Sequence, residues 1–299
     1  MKNKTWGVQD IPEQNDKTII ITGATSGLGK EASRVLAKKN ATVIMAVRNT
    51  QKAELVATEI RKEYANAKID IRSLDLGSLD SISSFAKGVL ADYNNLDILI
   101  NNAGVMMCPY STTQDGFEIQ MGTNHLGPFA LTGLLMPLLI RTKNARIVST
   151  SSVAHNQGDI DFTDINWEKR GYNTTKAYSD SKLANLYFSY ELKRKLENTE
   201  NSPKVITVHP GGTKTDLARH SGVFSVFMSL LFLPVEKGVL STLRAATDLN
   251  AESGDFYGPG GFMQLRGFPE LVQSNKMSHN LANAKQLWDL SEQLTGVKY

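Results

Sequence analysis

The sequence predicts the α/β fold class: a doubly wound parallel sheet with helices on both faces, in a single domain spanning residues 1–299. Two observations lead there. Short apolar runs rich in β-branched residues recur along the chain, and each precedes a longer stretch whose apolar residues fall at helical spacing. Such alternation implies right-handed crossovers and strands buried on both sides. A third observation bears on domain count, since no repeat, low-complexity segment or Pro/Ser/Gly-rich linker divides the chain.

In order, Thr18–Thr22 reads as a fully buried strand. A helix follows over Gly27–Asn40, with Leu28, Ala32, Val35 and Leu36 as its apolar positions. Thr42–Val47 is a second strand, Ala53–Ala65 a helix and Lys68–Ser73 a third strand. Leu79–Tyr93 is helical, Leu96–Asn101 a fourth strand, and Phe117–Ile140 mostly helical. Ala145–Thr150 is a fifth strand, residues 175–199 a long helix, and Lys204–His209 a sixth strand.

Hydrophobic content of 41% and charged content of 21% describe an ordinary globular protein. A net charge of +3, with no Lys/Arg block, argues against a nucleic-acid partner. The single cysteine, Cys108, excludes an internal disulfide and fits a reducing compartment. Nothing local activates it as a nucleophile, so it reads as an inert thiol. The N-terminal residues carry no apolar signal region, and the expected location is the cytoplasm. The apolar run over residues 222–235 meets a proline and falls short of the ~20 residues that span a bilayer. His125, His155 and His209 show no metal-ligand spacing, and no metal is expected.

Gly23-x-x-x-Gly27-x-Gly29 lies between the first strand and the first helix. Glycines there permit a tight turn and bring backbone N–H groups close to a pyrophosphate at the helix N-terminus. The spacing differs from GxGxxG, and a merely structural turn is the competing reading. An acidic residue ending the second strand would bond a ribose 2′-hydroxyl and favour NAD. That strand ends Ala46-Val47-Arg48-Asn49 instead, and Arg48 could clamp a 2′-phosphate, or stand as a solvated cation. The cofactor expected is therefore NADP rather than NAD. Asp75, beside Leu76 after the third strand, could meet the adenine edge, although Asp at a strand end also serves as a helix cap.

Tyr178 and Lys182 stand four residues apart in Tyr-Ser-Asp-Ser-Lys, so on a helix they converge on one point. Opposite charges about 4 Å apart at an effective dielectric of ~20 interact by roughly 4 kcal/mol, an upper bound of ~3 pKa units. On that argument the ammonium lowers the phenol towards neutrality and makes it a usable acid and base. Three polar clusters end successive strands, where ligands bind in open α/β sheets. They are Asn101-Asn102-Ala103-Gly104, Ser149-Thr150-Ser151-Ser152 and the segment from His209 through Pro210, Gly211 and Thr213 to Thr215.

Taken in order with Thr22-Gly-Ala-Thr-Ser-Gly-Leu-Gly29, these motifs resemble the short-chain dehydrogenase/reductase family over roughly residues 15–265. The resemblance implies a Rossmann fold and a set of roles. Tyr178 resembles the general acid that protonates a carbonyl oxygen as hydride arrives from nicotinamide. Lys182 resembles its partner, Ser152 the hydroxyl that orients the carbonyl, with Ser151 as runner-up, and Asn124 the helix asparagine that holds a water in the proton relay. The cofactor set comprises Gly23, Thr25, Ser26, Gly27, Leu28, Gly29, Arg48, Asp75, Leu76, Asn102, Ala103, Gly104, Tyr178, Lys182, Pro210, Gly211, Thr213 and Thr215.

Tyr178–Phe188, Arg146–His155 and Val208–Leu217 are similar to the branch containing retinol dehydrogenases, WW-domain oxidoreductases and protochlorophyllide reductases. No WW domain precedes them here. Residues 156–174 lengthen the gap between Ser152 and Tyr178 and read as a surface excursion near the site mouth, with Phe162 and Trp167 packing. In the family, the segment at 213–236 is a substrate lid. Here it carries Val223, Phe224, Phe227, Leu231 and Phe232, which would suit a lipophilic carbonyl or alcohol substrate, a membrane surface touched through 222–235, or its own core. Met106 and Met107 would line the same pocket, or the core. The family also suggests a homo-oligomer. The competing class of function is a catalytically silent dinucleotide-binding sensor or scaffold.

Overall fold

The computed structural model describes residues 5–212 and 233–299. Eight strands form one sheet in the order β3-β2-β1-β4-β5-β6-β7-β8. The first six are β1 (Thr18–Thr22), β2 (Thr42–Val47), β3 (Lys68–Ser73), β4 (Ile98–Asn101), β5 (Arg146–Thr150) and β6 (Lys204–Val208). They are joined in parallel, as expected from the sequence. The order reverses between β1 and β4, which opens a crevice at their C-terminal ends.

Alternation along β1 divides the core. Ile19 and Ile21 face one layer with α1 (Gly27–Lys38) and α2 (Thr50–Glu63), whereas Ile20 faces the other, with α3 (Leu79–Asp92), α4 (Ile119–Arg141) and α5 (Thr174–Leu196). All three isoleucines are fully buried, and each contributes roughly 1.5–3 kcal/mol through its apolar area. The fold is therefore the doubly wound Rossmann arrangement with helices on both faces.

α4 is apolar and long enough to cross a membrane by composition, yet 78% of that window is buried inside the protein, the pattern of a core helix. It starts at the buried Glu118 carboxylate, which accepts from the Gln120 and Met121 N–H groups at 2.9 and 2.7 Å. One turn over Gly122–Leu126 is π-helical, and such turns recur at functional sites.

Three elements go beyond the expectation. β7 (Phe256–Pro259) extends the parallel sheet, and β8 (Pro269–Leu271) adds an antiparallel edge to it. Both strands are short and carry Pro, at the last position of β7 and the first of the edge strand β8, and neither forms an apolar β-branched run. After the short α6 (Val235–Gly238), α7 (Leu240–Thr247) packs on the β1/β6 side of the core. α8 (Leu281–Thr295) begins at an Asn280 side-chain cap and stops at Gly296, in the left-handed region at φ 68°. Its Ala284, Leu287 and Trp288 lie against α5 and α4.

The 156–174 excursion is pinned rather than loose. Ile160, Ile165 and Trp167 are buried, Phe162 packs against the same cluster, and the Arg170 guanidinium lies 3.7 Å from the centre of the Trp167 ring. Its end is tied to α4 by the Tyr172 hydroxyl, which donates to Glu118 at 2.6 Å.

Candidate active site

The strand ends at the β1/β4 crevice are tied by one hydroxyl. Thr22 Oγ1 accepts from the Asn102 and Ala103 N–H groups at 3.0 and 2.9 Å, while Asn102 Nδ2 donates to Thr22 O at 2.9 Å. Gly23 and Gly27 take φ of 69° and 50°, where a side chain is strained. Gly29 packs on the turn itself: a Cβ there would overlap Gly23 O and lie 2.7 Å from Asn102 Nδ2.

Ser26 caps α1 without a side-chain hydrogen bond, so the first N–H groups of that helix keep their donors. Thr25 and Ser26 are half-buried beside them, and Leu28 turns its side chain into the core. Side-chain-free glycines and an uncapped helix N-terminus fit a dinucleotide pyrophosphate. Arg48 is exposed and makes no hydrogen bond or ion pair among the described residues, leaving its guanidinium free for a 2′-phosphate. Asp75 is partly committed, since Oδ1 accepts from Gly77 N at 2.9 Å; the cap of α3 is Ser78 instead. Leu76 is buried against the core.

Across the crevice, α5 carries Tyr178 and Lys182, 8% and 4% exposed, with the lysine Nζ 5.6 Å from the centre of the Tyr178 ring. Nζ donates to Thr150 O at 3.2 Å, and Asn185 Nδ2 donates to the same carbonyl at 2.9 Å. Gly104 closes on this group, since a Cβ there would lie 2.9 Å from Asn124 Oδ1 and 3.5 Å from Lys182 Nζ. Asn124, in the π-turn, accepts from Val105 N at 2.7 Å and donates to Val105 O and Ser181 Oγ, both at 2.9 Å. Ser181 in turn donates to the Tyr178 carbonyl at 2.8 Å. Both amide protons of Asn124 are thus committed, so a relay water would have to meet an oxygen of this residue.

The two serines separate cleanly. Ser151, the runner-up, is buried and donates to Lys182 O at 2.7 Å. Ser152 caps the turn Val153–Gln157, its Oγ accepting from Ala154 N at 3.2 Å, and a hydrogen bond with Tyr178 acts to lower the phenol pKa.

Electrostatics departs from the simple ion-pair expectation. Burial pushes Tyr178 up to about 12, and burial pulls Lys182 down to about 8. Removing both groups from water penalises their charged forms more than their proximity stabilises them. The ammonium meets the phenol's ring and the Thr150 carbonyl, so it does not lower the phenol as expected. Cys108 is half-buried, its thiol raised by burial, consistent with an inert group.

At the end of β6, Gly211 adopts φ 68°, and its N–H donates to His209 Nδ1 at 3.3 Å. Pro210 leads into it; Thr213, Thr215 and most of the 213–236 segment lie outside the described residues. Site elements that the sequence reading passed over are Thr22, Asn185 and Glu118. The first two sit inside motifs already recognised, whereas Glu118 gives no signal beyond preceding a helix.

The geometry has its counterpart in known proteins. The short chain dehydrogenase pattern matches residues 17–223. Human retinol dehydrogenase 13 is 41% identical over 293 residues, covering 94% of this chain and 85% of that protein. Human retinol dehydrogenase 12 is 42% identical over 289 residues, covering 95% and 87%. A crystal structure from Mycobacterium paratuberculosis superposes with a TM-score of 0.84 at 40% identity, covering 99% of both chains. A short chain dehydrogenase from Shigella flexneri, complexed with NADP, superposes at 0.67 with 27% identity, covering 83% of this chain and 98% of its own. A glycine turn at the sheet's switch point, a buried Tyr–Lys pair and this match over most of the chain lead to one conclusion: the protein is an oxidoreductase and belongs to the short-chain dehydrogenase family.

Proposed function

We propose that the protein is an NADP-dependent oxidoreductase that transfers a hydride between the nicotinamide and the carbonyl or alcohol carbon of a lipophilic substrate. The observation that carries this reading is the convergence of Ser152, Tyr178 and Lys182 on the C-terminal side of β5, across the crevice from the uncapped α1. Gly23, Gly27, Gly29 and the α1 N–H groups would hold the pyrophosphate, Arg48 the 2′-phosphate, and Lys182 the nicotinamide ribose. When bound, the dinucleotide supplies or accepts the hydride.

The remaining chemistry belongs to the chain. With its pKa pushed up to about 12, the Tyr178 phenol keeps its proton at neutral pH and can give it to a developing alkoxide. Ser152 Oγ accepts from Ala154 N, and its own proton, which meets Tyr178 in the free site, would orient and polarise a carbonyl oxygen that enters beside the phenol. Lys182, at about 8, can exchange a proton near neutrality and so return one to the phenolate. Asn124 braces the Val105 segment against Ser181 and thereby against Tyr178. A sensor would have no use for this acid.

Lipophilicity rests on the apolar residues of 213–236, on Met106 and Met107 beside the crevice, and on the names of the retinol dehydrogenase relatives. The test is turnover of retinoid-like, steroid-like and long-chain aldehydes and ketones with NADPH and with NADH. NADPH-dependent turnover of lipophilic members supports the reading. Turnover with NADH alone overturns the cofactor assignment, and no turnover with either, despite tight cofactor binding, favours a sensor.

A further inference from the structure

Two buried histidines, unused by the mechanism, lie behind the site. His155 and His209 are 1% and 0% exposed and both pack against the Phe256 ring, at 5.7 and 5.2 Å between centroids. His209 fits because β7 offers Gly258 there; a Cβ at that position would overlap its ring.

The hydrogen bonds of His155 determine its proton. The Asn275 backbone N–H can only donate, and it points at Nε2 from 3.3 Å. The Ser152 carbonyl can only accept, and it lies 2.6 Å from Nδ1. The ring is therefore neutral with its proton on Nδ1, donating to the main chain of Ser152. Burial acts in the same direction, holding His155 below its ordinary value and His209 down at about 4. Asn275 completes the clasp: Nδ2 donates to His155 O at 3.1 Å, and Oδ1 accepts from Ser278 N at 2.9 Å. Ser274, one residue before, reaches Tyr190 on α5 at 2.9 Å.

We infer that His155 is a positioning residue for the substrate-orienting Ser152, held in its Nδ1–H form by the strap that carries Asn275. The inference rests on the role given to Ser152 above. The ring fixes the Ser152 carbonyl from behind, while Ala154 N fixes Oγ from the side, so the hydroxyl proton keeps one direction. A displacement of about 1 Å in such a group is worth on the order of 100-fold in rate.

The test uses the full chain. His155→Leu removes the donor, whereas His155→Asn keeps an N–H close to the Nδ1 position. The expected result is a kcat lower on the order of 100-fold in the leucine variant with cofactor affinity unchanged, and recovery to within about tenfold of wild type in the asparagine variant. The long-range ¹H–¹⁵N spectrum of wild type, with His155 assigned by its loss in the asparagine variant, should show Nδ1 protonated and Nε2 bare at neutral pH. That spectrum and the asparagine variant suffice should the leucine variant fail to fold. Full kcat in His155→Leu, no advantage of Asn over Leu, or an Nε2–H ring would overturn the inference. A Ser152→Ala variant separates the two claims. Its full activity overturns the role of Ser152, while its inactivity beside a fully active His155→Leu overturns this inference alone.

Discussion

Replacing Asn124 by alanine removes three hydrogen bonds at a position 1% exposed to solvent. The lost bonds are Val105 N to Oδ1 at 2.7 Å, and Nδ2 to Val105 O and to Ser181 Oγ at 2.9 Å each. A net contribution of about 1 kcal/mol per bond gives a loss of about 3 kcal/mol, with the Val105 N–H and C=O left to find new partners. Folding stability of roughly 5–15 kcal/mol survives that, so the variant should be isolable. Equilibrium urea unfolding of wild type and Asn124→Ala should show the loss as a lower midpoint at unchanged slope. Activity should fall with it, since Ser181 then lacks the partner that directs its hydroxyl to the Tyr178 carbonyl. A stability loss under about 1 kcal/mol would refute the reasoning, because the three bonds would then contribute nothing net.

The glycine turn makes a second claim. Gly29→Ala should push Gly23 and Asn102 apart, costing about 1–3 kcal/mol in stability and weakening NADPH binding at least about tenfold in a fluorescence titration; unchanged affinity would contradict the packing. Arg48→Ala should weaken NADPH binding by about 1–2 kcal/mol and leave NADH binding as it was, and equal effects on both would remove Arg48 from the 2′-phosphate. The buried lysine predicts a pH effect of definite sign. Because Lys182 falls from 10.5 to about 8 on folding, the unfolded chain binds the extra proton between those values, so this group makes stability rise with pH across that window. Above pH 10 the raised Tyr178 acts oppositely, the unfolded chain losing a proton that the folded one keeps. Denaturation of wild type and Lys182→Met between pH 8 and 10 should show a shallower slope in the variant, and parallel slopes would contradict the assignment.

Five of the strands were legible as apolar β-branched runs with buried residues, whereas the edge strand β3 carries only Ile69 and Ile71 as apolar residues and is at most half-buried. Their ends moved for local reasons. β4 starts at Ile98 rather than Leu96; Asp97 just before it still bonds both neighbours through its main chain, while its carboxylate accepts from Thr18 N at 2.9 Å. α2 starts at Thr50 because Asn49 caps it, accepting from Lys52 N at 2.7 Å. The short strands β7 and β8 carry no periodic signal, whereas α8 was announced by Asn280 and Gly296 and could have been read. At the site, the motif spacing of Tyr178, Lys182 and Ser152 maps directly onto a helix and a strand end. What spacing could not convey was desolvation. The phenol and ammonium lie close, yet burial governs both, and only the packed structure sets that balance. Likewise, the direction of the Ser151 hydroxyl, which donates to Lys182 O, is set only in the packed structure.

The most direct test of the account is Tyr178→Phe, assayed for NADPH oxidation with a lipophilic aldehyde and for NADPH binding. The change removes one hydroxyl from a buried ring and leaves its packing in place. The account predicts a kcat lower by a factor on the order of 10²–10⁴, with cofactor affinity within about threefold of wild type. A phenylalanine variant that turns over at the wild-type rate would contradict it.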